Sequence, residues 1–434
     1  MPTAAFHTVG CKLNHYETEA IREQFEVNGY DVVPFRTVAD VYVINTCAVT
    51  AKSDRTSRQA VYQALRRAPG ARVVATGCSV QISPQTFAHI PGVEVVVGTE
   101  GKENVFDHVS ERGSGKPMGT PPVHEHPSGW FSISHFRDCT RAFIKIQDGC
   151  NASCSYCIVP LTRGAHRSRP LRSIVSQAHR LVESGYKEIV VTGVHLGMYG
   201  VDLPEKPSLV DVLKALVDIH GLSRLRLSSV EPTECSPSLI DLIASSPKIC
   251  RHMHIPLQSG DDEILTQMKR HYSARDVARL IETLVTRIPD VGIGTDVIVG
   301  FPGETDRHFE RSYALVEELP FSYLHVFSYS RRPGTAAASY PDQVPAGVRK
   351  VRSARFRELR ARKMKEFGSR FVGRPLDVLL EHRRDRQSGL LTGLSDNYIR
   401  LRVAGPDDLQ GEEVRVRVLS VGGGYATGSL IEVM

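Results

Sequence analysis

The first hundred residues alternate short, β-branched runs with longer stretches whose apolar positions recur at helical spacing. Residues 5–9, 41–45, 73–76 and 93–97 read as buried parallel strands, with helices near 15–26 and 53–67 between them. Residues 1–105 are therefore expected to form an open α/β domain. Residues 106–138 break the pattern. GSGKPMGTPPVHEHPSG is dense in Gly, Pro and Ser and has no period, which reads as a linker.

Six strand-like runs follow, at 143–147, 188–192, 224–228, 252–256, 292–299 and 322–327, most of them succeeded by a helical stretch. Repeating βα units imply a parallel sheet, either doubly wound or closed wholly or partly into a barrel, with ligands at the carboxyl ends of the strands. Residues 349–370, RKVRSARFRELRARKMKEFGSR, are helix formers throughout and read as one helix. From residue 371 the period drops to two in LDVLLEH, LLTGL, YIRLRV, EVRVRVLSV and ATGSLIEV, which predicts a small antiparallel barrel.

A length of 434 residues suits about three domains, and 41% hydrophobic with 24% charged residues excludes a mostly disordered or collagen-like chain. No run approaches the roughly 18–20 apolar residues of a membrane-spanning helix. The start, MPTAAFHTVGCKLNHYETE, has no charged segment leading into a greasy core, so the expected location is cytoplasmic and no membrane partner is expected. A net charge of +6 permits a nucleic-acid partner without demanding one. Nine cysteines, an odd number, speak against structural disulfides and for metal binding or catalysis.

The sharpest chemical signal is Cys150, Cys154 and Cys157 in DGCNASCSYCIVP. The competing reading is a helix with these cysteines on its buried face, but Gly149, Asn151 and Pro160 favour a loop just past the strand FIKIQ. Three thiolates held together need positive compensation, which a metal supplies. A structural zinc wants a fourth protein ligand, whereas a cubane iron–sulfur cluster on three cysteines keeps one iron open for a substrate or cofactor. Cys11 in TVGCKLN, Cys47 in VINTCAV and Cys78 in VATGCSV each lie about two residues past an expected strand, so a twisted sheet brings them to one carboxyl edge. Three unrelated core cysteines are the alternative there. Cys139, Cys235 and Cys250 lack such contexts and read as structural.

Cys150, Cys154 and Cys157 match the three-cysteine loop of radical S-adenosylmethionine (SAM) enzymes. With IQDGCNASCSYCIVPLTRGAHRSR, GCKLNHYETE, NTCAVT, ATGC, TGVHLGMYG, HIPLQSG and TDVIVGFPGET, essentially the whole chain resembles the methylthiotransferase branch of that superfamily. The resemblance implies a radical SAM catalytic domain over 139–345 built as a partial (βα)6 barrel, a connecting helix over 346–370 and a TRAM-like RNA-binding barrel over 371–434. It implies a 4Fe–4S cluster on Cys150, Cys154 and Cys157 whose open iron chelates S-adenosylmethionine. One electron from a donor then gives a 5′-deoxyadenosyl radical that takes hydrogen from the substrate. A second 4Fe–4S cluster, on Cys11, Cys47 and Cys78, is implied to hold or deliver sulfur, which a second S-adenosylmethionine methylates.

The same resemblance locates the cofactor contacts. Thr192, Gly193 and His195 end the second strand, where the superfamily grips the methionine amino group, although TGVHLG replaces the commoner double glycine and glutamate. SSVEP, PLQSG and DVIVGFPGE end the next three strands, so Ser229, Glu231, Gln258, Ser259 and Asp296 are expected to contact cofactor or substrate. Gly300, Pro302 and Gly303 are expected to shape a turn, and Glu304 to favour the following helix. No acidic residue lies between Asp148 and Glu183, while Arg163, Arg167, Arg169, Arg172 and Arg180 do. That stretch is expected to neutralise a cluster, hold a carboxylate or track a phosphate backbone.

GCKLN, IQDGC, SYCIVPLTRG and HRSR look most like the group acting on N6-threonylcarbamoyladenosine. The expected reaction is conversion of that nucleoside, at position 37 of tRNA beside the anticodon, to its 2-methylthio derivative. Isopentenyladenosine in tRNA or a ribosomal-protein aspartate is the alternative substrate. A zinc-containing RNA-binding protein or a plain iron–sulfur electron carrier is the reading from another class. The resemblance implies tRNA, and no DNA, as the partner; residues 349–370, with ten Lys or Arg against two Glu, are consistent with that, and Arg349, Arg352, Arg355, Arg362 and Lys365 are the expected contacts.

Overall fold

Runs of Val, Ile and Ala with no polar face satisfy their backbone groups only between other strands. In the computed structural model, which describes residues 1–110, 129–137 and 139–434, they do so in a parallel sheet ordered β2-β1-β3-β4-β5. Its strands are β1 (Thr3–Thr8), β2 (Asp31–Val33), β3 (Val41–Thr46), β4 (Arg72–Gly77) and β5 (Val93–Val97). Helices α1 (Lys12–Val27), α2 (Ala51–Arg67), α3 (Cys78–Ile82), α4 (Pro84–Ala88) and α5 (Val105–Ser110) alternate with or follow them. Every residue of β3 is buried, and Tyr42, Ile44, Val61, Val73, Ala75 and Phe87 share one core. Thr50 caps α2 by accepting the Ser53 amide, with Asp54 in the first turn and Arg66 and Arg67 in the last, each charge complementing the helix dipole.

The chain divides into two units, one of Met1–Arg137, Lys145–Arg169 and Ser330–Ala338, the other of Asp138–Ile144, Pro170–Tyr329 and Ser339–Met434. This departs from the expected boundary at 139. Lys145–Arg169, with β7 (Gln147–Asp148), α6 (Val159–Arg163) and β8 (Arg167–Ser168), packs with the amino-terminal sheet, held there by the buried ion pairs described below. The expected linker is also structured at both described ends. Residues 106–110 lie in α5 with Val109 buried, and Phe131, Ile133 and Phe136 are buried, the Phe131 carbonyl accepting from the Tyr16 hydroxyl at 2.9 Å. Residues 111–128 and 138, and with them most of the Gly/Pro-rich stretch, lie outside the described residues.

In the second unit all six expected strands occur: β6 (Arg141–Lys145), β9 (Glu188–Thr192), β10 (Arg224–Leu227), β11 (His252–His254), β12 (Gly292–Val299) and β13 (Tyr323–Ser328). They run in chain order as β6-β9-β10 and β11-β12-β13, and the parallel bridges Leu225↔Ile249 and Ser229↔His254 join the two sheets. Helices α7 (Leu171–Glu183), α8 (Leu209–Val217), α9 (Pro237–Ser245), α10 (Asp262–Gln267), α11 (Ala274–Arg287) and α12 (Asp306–Glu318) return the chain, giving a partial (βα)6 barrel. Helix α13 (Ala346–Ser369) leads to β14 (Pro375–Arg384), β15 (Leu391–Ser395), β16 (Arg400–Val403), β17 (Glu413–Gly422) and β18 (Tyr425–Val433), closed in the order β14-β15-β16-β18-β17. Four seams are antiparallel, as expected; β16 and β18 pair in parallel. An odd number of strands cannot alternate direction around a closed ring, so one parallel seam is obligatory.

Candidate functional site

Strands β1, β3 and β4 are neighbours in register, with Thr8 opposite Asn45 and Asn45 opposite Thr76, so the residues just past them converge. Cys11 is the N-cap of α1, Cys47 follows β3 and Cys78 opens α3. Gly10, at φ +116°, permits the approach, because a Cβ there would stand 2.9 Å from Cys47 Sγ. Thr46 Oγ1 accepts the Ser79 and Val80 amides at 3.2 and 3.3 Å, and the Cys47 amide donates to Ser57 Oγ at 3.1 Å. Burial pushes the Cys47 thiol up to about 11, and nearby Cys78 and Cys11 push it the same way. A thiol so placed ionises when a metal takes the proton's place.

Cys150, Cys154 and Cys157 stand on a loop after β7, not on a helix. Gly149, at φ +68°, is required there, since a Cβ would lie 1.9 Å from the Ala165 carbonyl oxygen. The Cys150 amide donates to Gly164 O at 3.0 Å, the Cys157 amide to Cys154 O at 3.1 Å and the Ala152 amide to Cys150 Sγ at 3.4 Å. The antiparallel pairing of Gln147 with Ser168 and Asp148 with Arg167 clamps the base of this loop. Each trio offers three thiols as donors, a set that fits an iron–sulfur cluster, in which each sulfur takes its own iron.

Beside the amino-terminal trio lies a charge network that the sequence reading missed. Glu17, buried on the apolar face of α1 with Leu13, Tyr16 and Ile21, accepts from Lys145 Nζ at 2.9 Å, Arg163 Nη1 at 2.8 Å and Lys102 Nζ at 2.5 Å. Asp148 accepts from Lys145 at 2.8 Å and Arg163 at 3.0 Å. Burial alone would raise the Glu17 carboxyl; Arg163, Lys102 and Lys145 overcome it and hold the group well below its usual range. An acidic residue in phase with the apolar stripe LNHYETEAI was the available signal. The expected arginine track is accordingly dispersed. Arg163 is buried in this network, Arg169 is buried beside the Tyr16 hydroxyl, Arg167 lies over the Trp130 ring, Arg180 bonds Ser176 and Gln177 on its own helix, and Arg172 is exposed.

In the second unit Thr192 ends β9 and Gly193 and His195 follow it, with His195 Nε2 at 2.5 Å from Glu234. Glu231 follows β10 and pairs with Arg270; burial raises its carboxyl against the pull of that guanidinium. Ser229 is exposed. Gln258 adopts φ +65°, a strained conformation for a non-glycine residue, its amide donating to Asp296 O at 2.8 Å. The Asp296 carboxylate lies 3.1 Å from His254 Nε2 and 3.3 Å from His325 Nδ1. Ser259 does not fit the expected contact role: it is 1% exposed and its hydroxyl pairs with Ser312 on α12. Glu304 accepts the Gly300 amide at 2.8 Å and pairs with Arg352, so it braces the turn rather than only favouring a helix start.

The expected RNA contacts on α13 need the same correction. Arg352 is buried between Glu304 and Asp306, Arg355 pairs with Glu310, Arg362 with Glu317, and Arg349 donates to Tyr329 O at 2.5 Å. Acidic residues of α12 thus neutralise one side of the basic helix. Lys365, with Lys350, Arg357 and Arg360, is exposed.

Residues 144–316 match the radical SAM superfamily, so barrel and cysteine loop together define a radical S-adenosylmethionine enzyme. Residues 3–98 match the uncharacterized protein family UPF0004. The chain is 39% identical to threonylcarbamoyladenosine tRNA methylthiotransferase MtaB of Bacillus subtilis (strain 168), across 100% of this chain and 97% of that protein. It is 31% identical to a tRNA-2-methylthio-N(6)-dimethylallyladenosine synthase of Clostridium botulinum (strain Hall), across 98% and 96%. The radical SAM methyltransferase TsrM from Kitasatospora setae shares the fold at a TM-score of 0.56 and 18% identity, covering 77% of each chain. The chain belongs to the radical SAM tRNA methylthiotransferases, whose cofactors are S-adenosylmethionine and two 4Fe–4S clusters. No helix among the described residues is long and apolar enough to cross a membrane.

Proposed function

We propose that this enzyme inserts sulfur and a methyl group at C2 of N6-threonylcarbamoyladenosine at position 37 of tRNA, giving the 2-methylthio derivative. The observation that carries the assignment is the 39% identity along the full chain to a relative named for that nucleoside, against 31% to one named for the dimethylallyl nucleoside. Cys150, Cys154 and Cys157 would hold one cluster and Cys11, Cys47 and Cys78 the other. When bound, the first supplies the electron, drawn from a cytoplasmic donor, that cleaves S-adenosylmethionine, and the second supplies or carries the sulfur.

The remaining work belongs to binding and exclusion of water. Thr192, Gly193 and His195 orient the methionine end of S-adenosylmethionine, while Ser229, Glu231, Gln258 and Asp296 face its nucleoside or the substrate base. The strained Gln258 backbone and the paired carboxylates of Glu231 and Asp296 keep these groups in fixed positions. At the amino ends of the strands the Tyr398 ring stacks on His252 at 4.2 Å and on Tyr323 at 5.1 Å, filling that end of the barrel. A dry interior protects a reactive carbon centre from side reactions.

Mass spectrometry of tRNA nucleosides from cells with and without the gene tests the substrate. Loss of the 2-methylthio-threonylcarbamoyl nucleoside alone is the expected result. Loss of the isopentenyl derivative instead, or an unchanged profile with an altered ribosomal protein, overturns it. RNA binding through α13 gives a second prediction. Charge reversal at Lys350, Arg357 and Lys365 lowers tRNA affinity and flattens the salt slope by roughly 0.7–0.9 for each phosphate no longer neutralised, whereas an unchanged slope makes the helix a connector only.

A further inference from the structure

The buried network contains two carboxylates, Glu17 and Asp148, and three cations, Lys102, Lys145 and Arg163, so it carries one positive charge in surplus. Side-chain exposure is 1% to 6% for the cations and 2% for Glu17, which puts that surplus where solvent screens it little. Its direction is set by Arg163. The guanidinium gives Nη1 to both carboxylates, and Nη2 both to Glu17 Oε2 at 3.2 Å and to Asn14 Oδ1 at 2.8 Å. Asn14 in turn donates to Val9 O at 2.7 Å and Thr46 O at 2.9 Å, the strand ends that lead into Cys11 and Cys47. On the third side Ile158, at the head of α6, packs against Cys78 and Ala48. Arg163 therefore reaches the strand ends of Cys11 and Cys47 through Asn14 and is the last residue of the helix whose head packs against Cys78, while Asp148, Glu17 and then the Cys78 and Cys11 sulfurs favour its charged form.

We propose that Arg163 is a positioning residue for the cluster on Cys11, Cys47 and Cys78, its surplus charge balancing the anionic cluster and raising its reduction potential. The inference rests on the ligand assignment above. An iron–sulfur core held by three thiolates is negative and becomes more so on reduction, and net charge near a cluster is one of the terms that set its potential. Removing the charge at Arg163 leaves Glu17 and Asp148 matched by Lys102 and Lys145. The fold thus retains a balanced interior, and the electrostatic effect can be read separately.

The experiment is an EPR-monitored redox titration of anaerobically reconstituted full-length protein on the Cys154→Ala background, with iron counted per chain. Arg163→Gln is expected to lower the midpoint by about a tenfold change in the reduced-to-oxidised ratio, ~59 mV for a one-electron couple. Arg163→Lys is expected to restore most of the shift, and Asp148→Asn, which adds to the surplus, to move the midpoint upward. Opposite signs for Arg163→Gln and Asp148→Asn support the proposal, as does iron lost in Arg163→Gln but kept in Arg163→Lys. Unchanged midpoints, shifts of one sign in both variants, or equal iron loss in Gln and Lys variants overturn it. A signal that survives Cys47→Ala on the same background overturns the ligand assignment itself, which separates the two failures.

Discussion

Cys154→Ala protein forms no 5′-deoxyadenosine above background when supplied with S-adenosylmethionine and a strong reductant, while Cys47→Ala protein forms it at close to the wild-type rate. Both variants give tRNA without the methylthio group. The asymmetry follows from two trios built on separate elements. Cys154 belongs to the loop clamped by β7 and β8, whereas Cys47 is fixed by the register of β3 and by Ser57. Alanine at Cys154 leaves two thiols for a cluster that needs three and still must keep one iron open. Alanine at Cys250, a thiol 2% exposed in the second unit, retains both activities and controls for general damage. Retained cleavage in Cys154→Ala removes that residue from the ligand set, and full product formation by Cys47→Ala removes the role of the second trio. The readouts are chromatography for the cleaved nucleoside and mass spectrometry for the modified base.

What can be read in the chain depends on the range of the interaction. Strands such as Val41–Thr46 and Glu188–Thr192 are legible because burial on both faces leaves a local apolar run, VYVI in the one and IVV in the other. Cys150, Cys154 and Cys157 are legible because a loop gathers its ligands within eight residues. Cys11, Cys47 and Cys78 need one further step, the rule that parallel strands present their carboxyl ends together. Charges give no such help. Glu17 meets Lys102, Lys145 and Arg163 across 85, 128 and 146 residues, and no local pattern separates those cations from the exposed Lys350 or Lys365. The basic helix misleads for the same reason: its acidic partners Glu310 and Glu317 lie 45 residues upstream on another helix. The parallel β16·β18 seam follows from strand count, which periodicity does not reveal.

Glu17→Leu is expected to destabilise the first unit by about 3–5 kcal/mol, the cost of removing one partner from a buried ionic group. Leucine suits the apolar face of α1, so the loss is not one of helix formation or packing volume. It comes from the cations left behind: Lys102, 1% exposed, keeps only Asn45 Oδ1 at 3.2 Å, and Asp148 alone must balance Lys145 and Arg163. Trp130 is the single tryptophan of the chain and lies over Lys145 and Arg167, so its fluorescence reports unfolding of this unit directly. The pH dependence adds a signed check. Glu17 is held well below 4.5, so its contribution is fully present above about 4.5 and is lost as pH falls through the depressed value. The wild-type and Glu17→Leu denaturation curves should therefore be farthest apart near neutral pH and converge on acidification. Adding Lys102→Met to Glu17→Leu should recover part of the loss, because the most buried unpaired cation is then gone. Curves that stay parallel down to acid pH, or a double variant no more stable than the single one, would show that Glu17 contributes through packing and not through charge.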